Sequence, residues 1–379
     1  MKEIKKKLKV SLFVHDLSSN PIVRAYPFAK ALQRLGYEVE ILGFTYNTDE
    51  IYAPYKNEFE YKYIRCYLDI RSVVSNAYRL SKLATGDIAY CFKPVWGTLF
   101  PALLYSGFGF RKKLVLDAED NELWDLHNGN GWRDLRQNSI YPINPIYNKL
   151  LHPFAFFAKQ KSVATRSLQK RYGGHIILHG PDHNTFDPKK FADKISLRKK
   201  YGLPENKMYL IFAGTPVFYN GLPFLIMALK NTLENWHIIL VGNPKHKFFI
   251  EAKEELGVRC HVLGFIENSL MPEVLKLADV APIIQTSMPS TLYQMPAKSL
   301  EAMCMELPLI VTNVADLPIL VGEDRGWIIG KQGSFQEILN FIANSPEEIR
   351  NRGIKCREYF IEHCSVNKIS ETLKSQLGF

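Results

Sequence analysis

The chain has 379 residues, of which 46% are hydrophobic and 23% are charged, and its formal net charge at pH 7 is +10. This length and composition suffice for the cores of two or three ordinary domains, which excludes a disordered, fibrous or disulfide-framework protein. No apolar run reaches the about 18–20 residues of a membrane-spanning helix, and the scattered cysteines form no CxxC pair, so we expect a reduced, cytoplasmic protein.

The positive charge is concentrated in the first half of the chain. Residues 1–200 hold 32 Lys and Arg against 19 Asp and Glu, whereas residues 201–379 hold 16 against 19. Basic surfaces attract the phosphates of nucleic acids, anionic lipids and small substrates, although a solvated basic surface fits the same count. Because no nucleic-acid-binding module is recognisable, we expect no nucleic-acid partner.

Short apolar runs alternate with amphipathic ones along the first half. The basic N-terminus leads into a strand and does not have the pattern of a signal peptide. The clearest helix is predicted over Pro21–Leu35, where the apolar residues follow helical spacing and Gly36 marks the end. The predicted strands are Lys9–His15, Glu38–Phe44, Tyr61–Cys66, Asp87–Phe92, Lys113–Ala118, Ser162–Thr165 and His175–His179.

A second alternating series follows a polar, basic stretch. Its predicted strands are Met208–Ala213, His237–Val241, Cys260–Phe265, Val280–Ile284, Leu309–Thr312 and Trp327–Ile329. Its predicted helices are Leu222–Leu233, Lys247–Leu256, Leu270–Leu277 and Pro296–Met305, and the tail Pro346–Leu377 is predicted to be helical. Alternation of apolar strands with helices indicates parallel sheets covered on both faces, so we expect two doubly wound domains.

Several nucleotide-binding and catalytic motifs are absent. The turn after the first predicted strand lacks GxGxxG, and the chain holds no GxxxxGK[ST], GxSxG or HExxH sequence. His179 and His183 are four residues apart, but Gly180 and Pro181 prevent a shared helix face, so no metal site is predicted. The Asn128–Gly131 segment predicts a turn rather than a nucleotide loop.

The strongest candidate site follows the predicted strand Val280–Ile284. Pro296 can begin a helix, and Lys298 and Glu301 then share one face of its first two turns. The free N–H groups and the dipole of a helix start attract phosphate, and Lys298 adds a point charge. The Glu301 carboxylate can accept two hydrogen bonds from a ribose diol. These parts suit a nucleotide diphosphate; the alternative is an ordinary amphipathic helix with a surface Lys–Glu pair.

The stretch Pro296–Met303, followed by Leu307–Val311, resembles the donor-site motif of the retaining glycosyltransferases of family 4, which have the GT-B fold. The same resemblance extends over nearly the whole chain, through Asn20–Phe44, Leu114–Glu122, Ser167–Pro188 and Phe212–Leu225. It implies an α/β protein with two doubly wound, Rossmann-like domains facing a central cleft. The implied divisions are an acceptor-side domain at 1–185, a nucleotide-sugar donor domain at 186–355, and a C-terminal helix at 356–379 returning to the first domain.

The resemblance also implies an activity: a hexosyltransferase-type enzyme that moves a sugar from a nucleotide-diphosphate sugar to an acceptor hydroxyl with retention, in cell-surface polysaccharide or glycoconjugate synthesis. The donor is a substrate, and neither a cofactor nor a metal is expected. The implied donor-binding residues are Gly214, Asn220, Tyr293, Ala297, Lys298 and Glu301. The carboxylates expected to orient or deprotonate the acceptor are Glu119 and Asp120, and the implied acceptor-side residues are Ser19, Asn20 and Arg24.

Three positions depart from the family pattern. Val217–Asn220 holds no cation where the family usually carries an Arg and a Lys. Tyr293 stands in place of the first of two glutamates, and Glu119 stands where a His is common. A catalytically degenerate GT-B-like binding or scaffold subunit is therefore the alternative function.

The segment Ile146–Lys161 mixes phenylalanines with lysines. Aromatic and basic residues together suit a membrane interface, and a core contact between helices is the alternative. The expected acceptor is thus a saccharide or a lipid-linked molecule, and an anionic membrane surface at the inner face is the partner that this segment would fit.

Overall fold

The structure is a computed structural model that describes residues 7–121, 145–214, 216–232 and 235–379. The basic lead-in at residues 1–6, the turn predicted at 128–131 and the end of one predicted helix at Leu233 lie outside the described residues. The chain divides into two compact units. The first unit comprises 1–179 and 366–379, and the second comprises 180–365, whereas the sequence analysis placed the divisions after residues 185 and 355.

The described strands are all in parallel pairs. In chain order they are β1 (Lys9–Asp16), β2 (Glu38–Tyr46), β3 (Tyr61–Cys66), β4 (Ile88–Phe92), β5 (Lys113–Ala118), β6 (Gln160–Val163), β7 (His175–Ile176), β8 (Met208–Ala213), β9 (Trp236–Val241), β10 (Cys260–Gly264), β11 (Ala281–Ile283), β12 (Leu309–Val311) and β13 (Gly326–Ile328).

Helices lie between most of these strands and at the C-terminal end. In chain order they are α1 (Ile22–Arg34), α2 (Ile70–Leu83), α3 (Leu99–Ser106), α4 (Pro145–Leu151), α5 (Arg166–Tyr172), α6 (Lys194–Lys200), α7 (Leu222–Lys230), α8 (Lys247–Leu256), α9 (Met271–Lys276), α10 (Ala297–Cys304), α11 (Leu317–Val321), α12 (Phe335–Ala343), α13 (Pro346–His363) and α14 (Val366–Leu377).

The first unit is built on a seven-stranded sheet in the order β3-β2-β1-β4-β5-β6-β7. This is a doubly wound order, in which the strand sequence reverses beside β1. Helix α14 buries one face, on which Val366, Ile369, Leu373 and Leu377 are at most 1% exposed, in the same core as β1 and α1. The Ser370 hydroxyl donates to the Ala31 carbonyl at 3.2 Å. The C-terminal helix therefore completes the hydrophobic core of the first unit.

The second unit has two three-stranded sheets, ordered β10-β9-β8 and β11-β12-β13. A parallel bridge between Leu210 and Val280 joins β8 to the start of β11, so the strands follow one doubly wound order. The core contains fully buried Phe212 and Trp236 together with residues of the surrounding helices. Strand β9 is buried along its whole length, as expected for a parallel strand covered on both faces.

The α/β class, the parallel sheets and the helical tail are confirmed, and the differences lie at element ends. Strand β6 ends at Val163, two residues before the predicted end, because the Thr165 hydroxyl caps α5 by accepting from the Leu168 N–H at 3.3 Å. Strand β7 ends at Ile176 instead of His179, since the next carbonyl, that of Ile177, accepts from a buried arginine. The helical tail consists of two helices, α13 and α14.

None of the described helices combines the length and the apolar composition that crossing a membrane requires.

Candidate functional site

Helix α10 begins in the second unit without a side-chain cap. Pro296 has an extended backbone (φ −64°, ψ 120°) and directs the chain into Ala297. The Ser299 N–H closes the first turn on the Pro296 carbonyl at 3.0 Å, and among the described residues no acceptor is bonded by the N–H groups of Ala297 and Lys298. Uncapped N–H groups with the helix dipole behind them form a preorganised anion site.

Lys298 and Glu301 lie half-buried on the first turns of α10. The Lys298 ammonium lies over the Phe212 ring, 4.4 Å from its centroid, and so beside the carboxyl end of β8. Burial lowers the pKa of Lys298 to about 8 and raises the pKa of Glu301 to about 7, although each charge partly opposes the shift of the other. Within the described residues neither forms a salt bridge, so a ligand that pairs with either charge would relieve its desolvation.

The loop between β11 and α10 is tied down by its own hydrogen bonds. The Thr291 hydroxyl accepts from the Met288 N–H at 3.1 Å and donates to the Thr286 carbonyl at 2.6 Å. The Thr286 N–H in turn donates to the Tyr219 carbonyl at 3.1 Å, which joins this loop to the turn after β8. Tyr293 ends a short 3₁₀ turn within the same loop and is half-buried. The two loops on which the predicted donor residues lie are thus in direct contact.

Two glycines shape the segment after β8. Gly214 has φ +116° and open space where a Cβ would stand, so the backbone here is accessible. Gly221, the residue before α7, has φ +72°, and a Cβ on it would lie 2.4 Å from the Ile284 Cβ. Only glycine permits this approach of α7 to the end of β11. Asn220, between them, is half-buried, and its N–H donates to the Val217 carbonyl at 3.0 Å.

Glu119 and Asp120 follow β5 in the first unit and share one cation. The Lys93 ammonium lies 3.0 Å from a Glu119 oxygen and 2.6 Å from an Asp120 oxygen. Burial raises the pKa of Glu119 to about 7, against the lowering effect of Lys93. Lys93 follows β4 with φ +73°, a conformation rare for a residue with a Cβ, while its N–H donates to the Asp117 carbonyl at 2.9 Å.

Lys93 was not predicted from the sequence. A signal was nevertheless available in the sequence. Lys93 directly follows the buried strand β4, and Glu119 and Asp120 directly follow its neighbour β5. The carboxyl ends of adjacent parallel strands meet at one edge of a sheet, so these three residues are expected to lie together.

Arg24 connects α1 to the ends of β5 and β7. It is 1% exposed, and its guanidinium donates to both Asp117 oxygens at 2.9 and 2.8 Å and to the Ile177 carbonyl at 2.8 Å. His179 Nδ1 lies 2.8 Å from the same guanidinium, and burial beside this cation holds the pKa of His179 well below its usual range. The Arg24 Nε lies 4.0 Å from Glu119. Arg24 therefore lies behind the acidic pair, bonded to protein atoms.

Ser19 and Asn20 belong to the turn after β1. The Asp16 carboxylate organises this turn by accepting from the Ser18 N–H at 2.8 Å and from the Ser19 hydroxyl at 2.5 Å, and Asn20 is exposed. The preceding His15, also not predicted, is 2% exposed, and burial lowers its pKa to about 4, so it is neutral at pH 7. No cluster of three or more metal-ligating side chains occurs in the part of the chain that the structure describes.

A family model and several curated relatives match parts of this chain. Residues 193–358 match the family model described as Glycosyl transferases group 1. An uncharacterised glycosyltransferase of Methanocaldococcus jannaschii is 25% identical over 205 residues, 48% of this chain and 51% of that protein. The D-inositol 3-phosphate glycosyltransferase of Xylanimonas cellulosilytica is 26% identical over 41% of this chain and 38% of its own length. The matched region thus spans about half or less of these curated relatives.

Solved structures match over almost the whole chain. HepE of Anabaena, in complex with UDP and glucose, has a TM-score of 0.73 at 16% identity and covers 98% of this chain and 99% of its own. WaaG, a glycosyltransferase involved in lipopolysaccharide biosynthesis, has a TM-score of 0.64 at 16% identity, covering 98% and 100%. At this identity the similarity is one of fold, and the predicted GT-B class is confirmed.

Proposed function

We propose that this chain, a GT-B protein whose residues 193–358 carry the Glycosyl transferases group 1 domain, transfers a sugar from a nucleotide-diphosphate sugar to an acceptor hydroxyl with retention at the anomeric carbon. The observation that carries the proposal is the uncapped start of α10 with the half-buried, unbridged Lys298 and Glu301 on its first turns. The donor is a substrate in this reaction, and no cofactor is required.

The proposed roles of these groups follow from where negative charge develops during sugar transfer. When the bond between the anomeric carbon and the diphosphate oxygen breaks, the leaving diphosphate gains negative charge. The N–H groups of Ala297 and Lys298 and the Lys298 ammonium are fixed before the reaction and can stabilise that charge without reorganising. Glu301 accepts from the ribose diol and orients the nucleoside. Gly214, Asn220 and Tyr293 line the donor on the adjoining loops.

A uridine nucleotide is the first donor to test, because HepE was solved with UDP-glucose as well as with UDP. A hexosyl donor and a role in cell-surface polysaccharide or glycoconjugate synthesis fit the printed roles of WaaG and of the putative teichuronic acid biosynthesis glycosyltransferase of Bacillus subtilis, which is 26% identical over 41% of this chain. The acceptor in this proposal is a saccharide or a lipid-linked saccharide at the cytoplasmic face of the membrane.

On the acceptor side, Glu119 is the proposed base and Asp120 orients the acceptor hydroxyl. A carboxyl group whose pKa is about 7 is half ionised at neutral pH and matched to proton transfer there. Ser19 and Asn20 contribute polar groups from the turn after β1. Arg24 acts as a positioning residue, since its guanidinium is buried behind the acidic pair.

A degenerate binding or scaffold subunit is the second candidate, and one observation favours it. The described part of the turn after β8 includes Val217–Asn220, which contains no cation to hold a diphosphate. Two missing charge-assisted hydrogen bonds would cost roughly 1.5–3 kcal/mol each in donor affinity.

Incubation of the purified chain with UDP-glucose and other nucleotide sugars separates the two candidates. The proposal expects release of the nucleoside diphosphate, by transfer to added acceptors or by slow hydrolysis, and an anomeric configuration by NMR that matches the donor. Loss of turnover in Glu301→Ala, with the wild-type melting temperature retained, would support the site. Absence of both turnover and nucleotide-dependent stabilisation at millimolar donor would favour the scaffold function.

A further inference from the structure

Five phenylalanines form one cluster on the first unit, here called the phenylalanine patch: Phe108, Phe110, Phe154, Phe156 and Phe157. Phe157 is at its centre, with ring centroids 5.4 Å from Phe108, 6.1 Å from Phe110 and 5.4 Å from Phe156. The patch joins the segment after α3 to the 3₁₀ turn after α4, so two separate parts of the chain build one apolar surface.

The outer members of the patch are unusually exposed. Phe110 is 85% exposed, Phe156 77% and Phe154 41%, and neighbouring Leu150 on α4 is 63% exposed. A single exposed aromatic residue is ordinary, but several in contact mark a surface that binds something apolar. Phe157 is half-buried and contacts the exposed rings around it.

The two described segments that build the patch carry charge of one sign. The two segments that build it, 106–113 and 145–161, contain six Lys and Arg and no Asp or Glu. Arg111 and Lys159 are exposed, whereas Lys112 is engaged, donating to the Gly86 carbonyl at 2.7 Å. Exposed aromatic rings ringed by cations match the boundary between acyl chains and anionic headgroups of a bilayer.

We propose that the phenylalanine patch docks this protein on the surface of an anionic bilayer, with Phe110 and Phe156 entering the headgroup–acyl boundary and Arg111 and Lys159 facing the lipid phosphates. The proposal extends the function given above and does not depend on it. The positive charge favours an anionic lipid surface over a second copy of this chain as the binding partner. A second copy would bring like charges together, whereas an anionic lipid surface neutralises them.

The position of the patch explains how docking leaves the chemistry unhindered. Its segments precede β5 and β6, so the patch lies at the amino edge of the sheet, whereas Glu119 follows β5 at the carboxyl edge. A six-residue strand separates the two edges by about 20 Å. Docking therefore anchors the first unit without covering the acidic pair.

Co-sedimentation with lipid vesicles tests the proposal. We expect the full chain to bind vesicles of phosphatidylcholine with a quarter phosphatidylglycerol and to bind pure phosphatidylcholine far more weakly, because each cation near an anionic surface contributes about fivefold. Binding should fall as sodium chloride is raised, since exposed charges are screened. The variant F110S/F156S should bind at least about tenfold more weakly.

The matched control is F265S, which removes a phenylalanine that is 80% exposed in the second unit and should leave vesicle binding unchanged. A wild-type melting temperature shows that F110S/F156S is folded. Equal binding of F110S/F156S and wild type, or no wild-type binding to anionic vesicles, overturns the proposal. A concentration-dependent dimer that F110S/F156S loses, without vesicle binding, would overturn it in favour of a second copy.

Discussion

The proposed donor site at the start of α10 contains a half-buried lysine, Lys298, and therefore predicts a pH dependence of donor binding that can be calculated. With a pKa of about 8, Lys298 is charged in about ten of eleven molecules at pH 7 and in about one of eleven at pH 9. In the proposed site a nucleoside diphosphate binds the charged form of Lys298. Above the pKa of Glu301, which is about 7, the affinity for UDP should therefore fall about fivefold from pH 8 to pH 9, since a bound anion raises the pKa of the same lysine.

The substitution Lys298→Met removes the charge that lies over the Phe212 ring and keeps an apolar side chain of similar length. The lost charge-assisted interaction is worth about 1.5–3 kcal/mol, or roughly 10- to 150-fold in UDP affinity at pH 7. The variant should also lack the fall in affinity between pH 8 and pH 9. The two effects are linked, because both come from one ammonium group.

Isothermal titration calorimetry with UDP at pH 7, 8 and 9, at constant ionic strength, measures both effects. The control is Lys230→Met, at the end of α7, whose ammonium is paired with Glu255 and lies at the opposite edge of the sheet from α10. This variant should bind as wild type does. If Lys298→Met bound UDP with wild-type affinity, or retained the loss above pH 8, the assignment of the diphosphate to α10 would be wrong.

Three further outcomes are expected. Glu119→Gln should lower the transfer rate about 10²- to 10⁴-fold with UDP affinity unchanged, and the wild-type initial rate should rise with pH through about 7 as this base deprotonates; a pH-independent rate would contradict that role. Gly221→Ala should lower the midpoint of urea unfolding more than the control Gly202→Ala. Both glycines have positive φ, but only at Gly221 would the new Cβ meet a neighbouring side chain. Equal midpoints would show that α7 shifts freely. Arg24→Met should cost about 3–5 kcal/mol in the free energy of unfolding by leaving Asp117 buried and unpaired, and adding Asp117→Leu should restore much of it; no restoration would point to lost packing instead.

Apolar periodicity was sufficient to predict the architecture. Strands such as Lys113–Ala118 and Met208–Ala213 have the predicted ends, because a parallel strand covered on both faces is a continuous apolar run bounded by polar residues. The errors are at ends where a side chain competes with the backbone, as at Thr165, whose hydroxyl caps a helix where a strand was predicted to continue.

The two halves of the candidate site were not equally predictable. Lys298 and Glu301 are neighbours on one helix turn, so spacing alone placed them together. The cation that bridges Glu119 and Asp120 is 26 and 27 residues before them, and its proximity depends on strand order, which periodicity does not encode. The pKa values of about 8 for Lys298 and about 7 for Glu301 could not be predicted from the sequence either, because they arise from burial in the folded protein.

The path of the chain through the first unit has a consequence for its synthesis. Leu373 and Leu377 pack in the same core as Val10 and Phe28, although the whole second unit lies between them in the sequence. During synthesis, all residues of the second unit are made before α14. Until α14 is made, the sheet of the first unit therefore has an uncovered apolar face. A nascent chain stalled before residue 366 would thus expose the apolar surface that α14 covers in the folded protein.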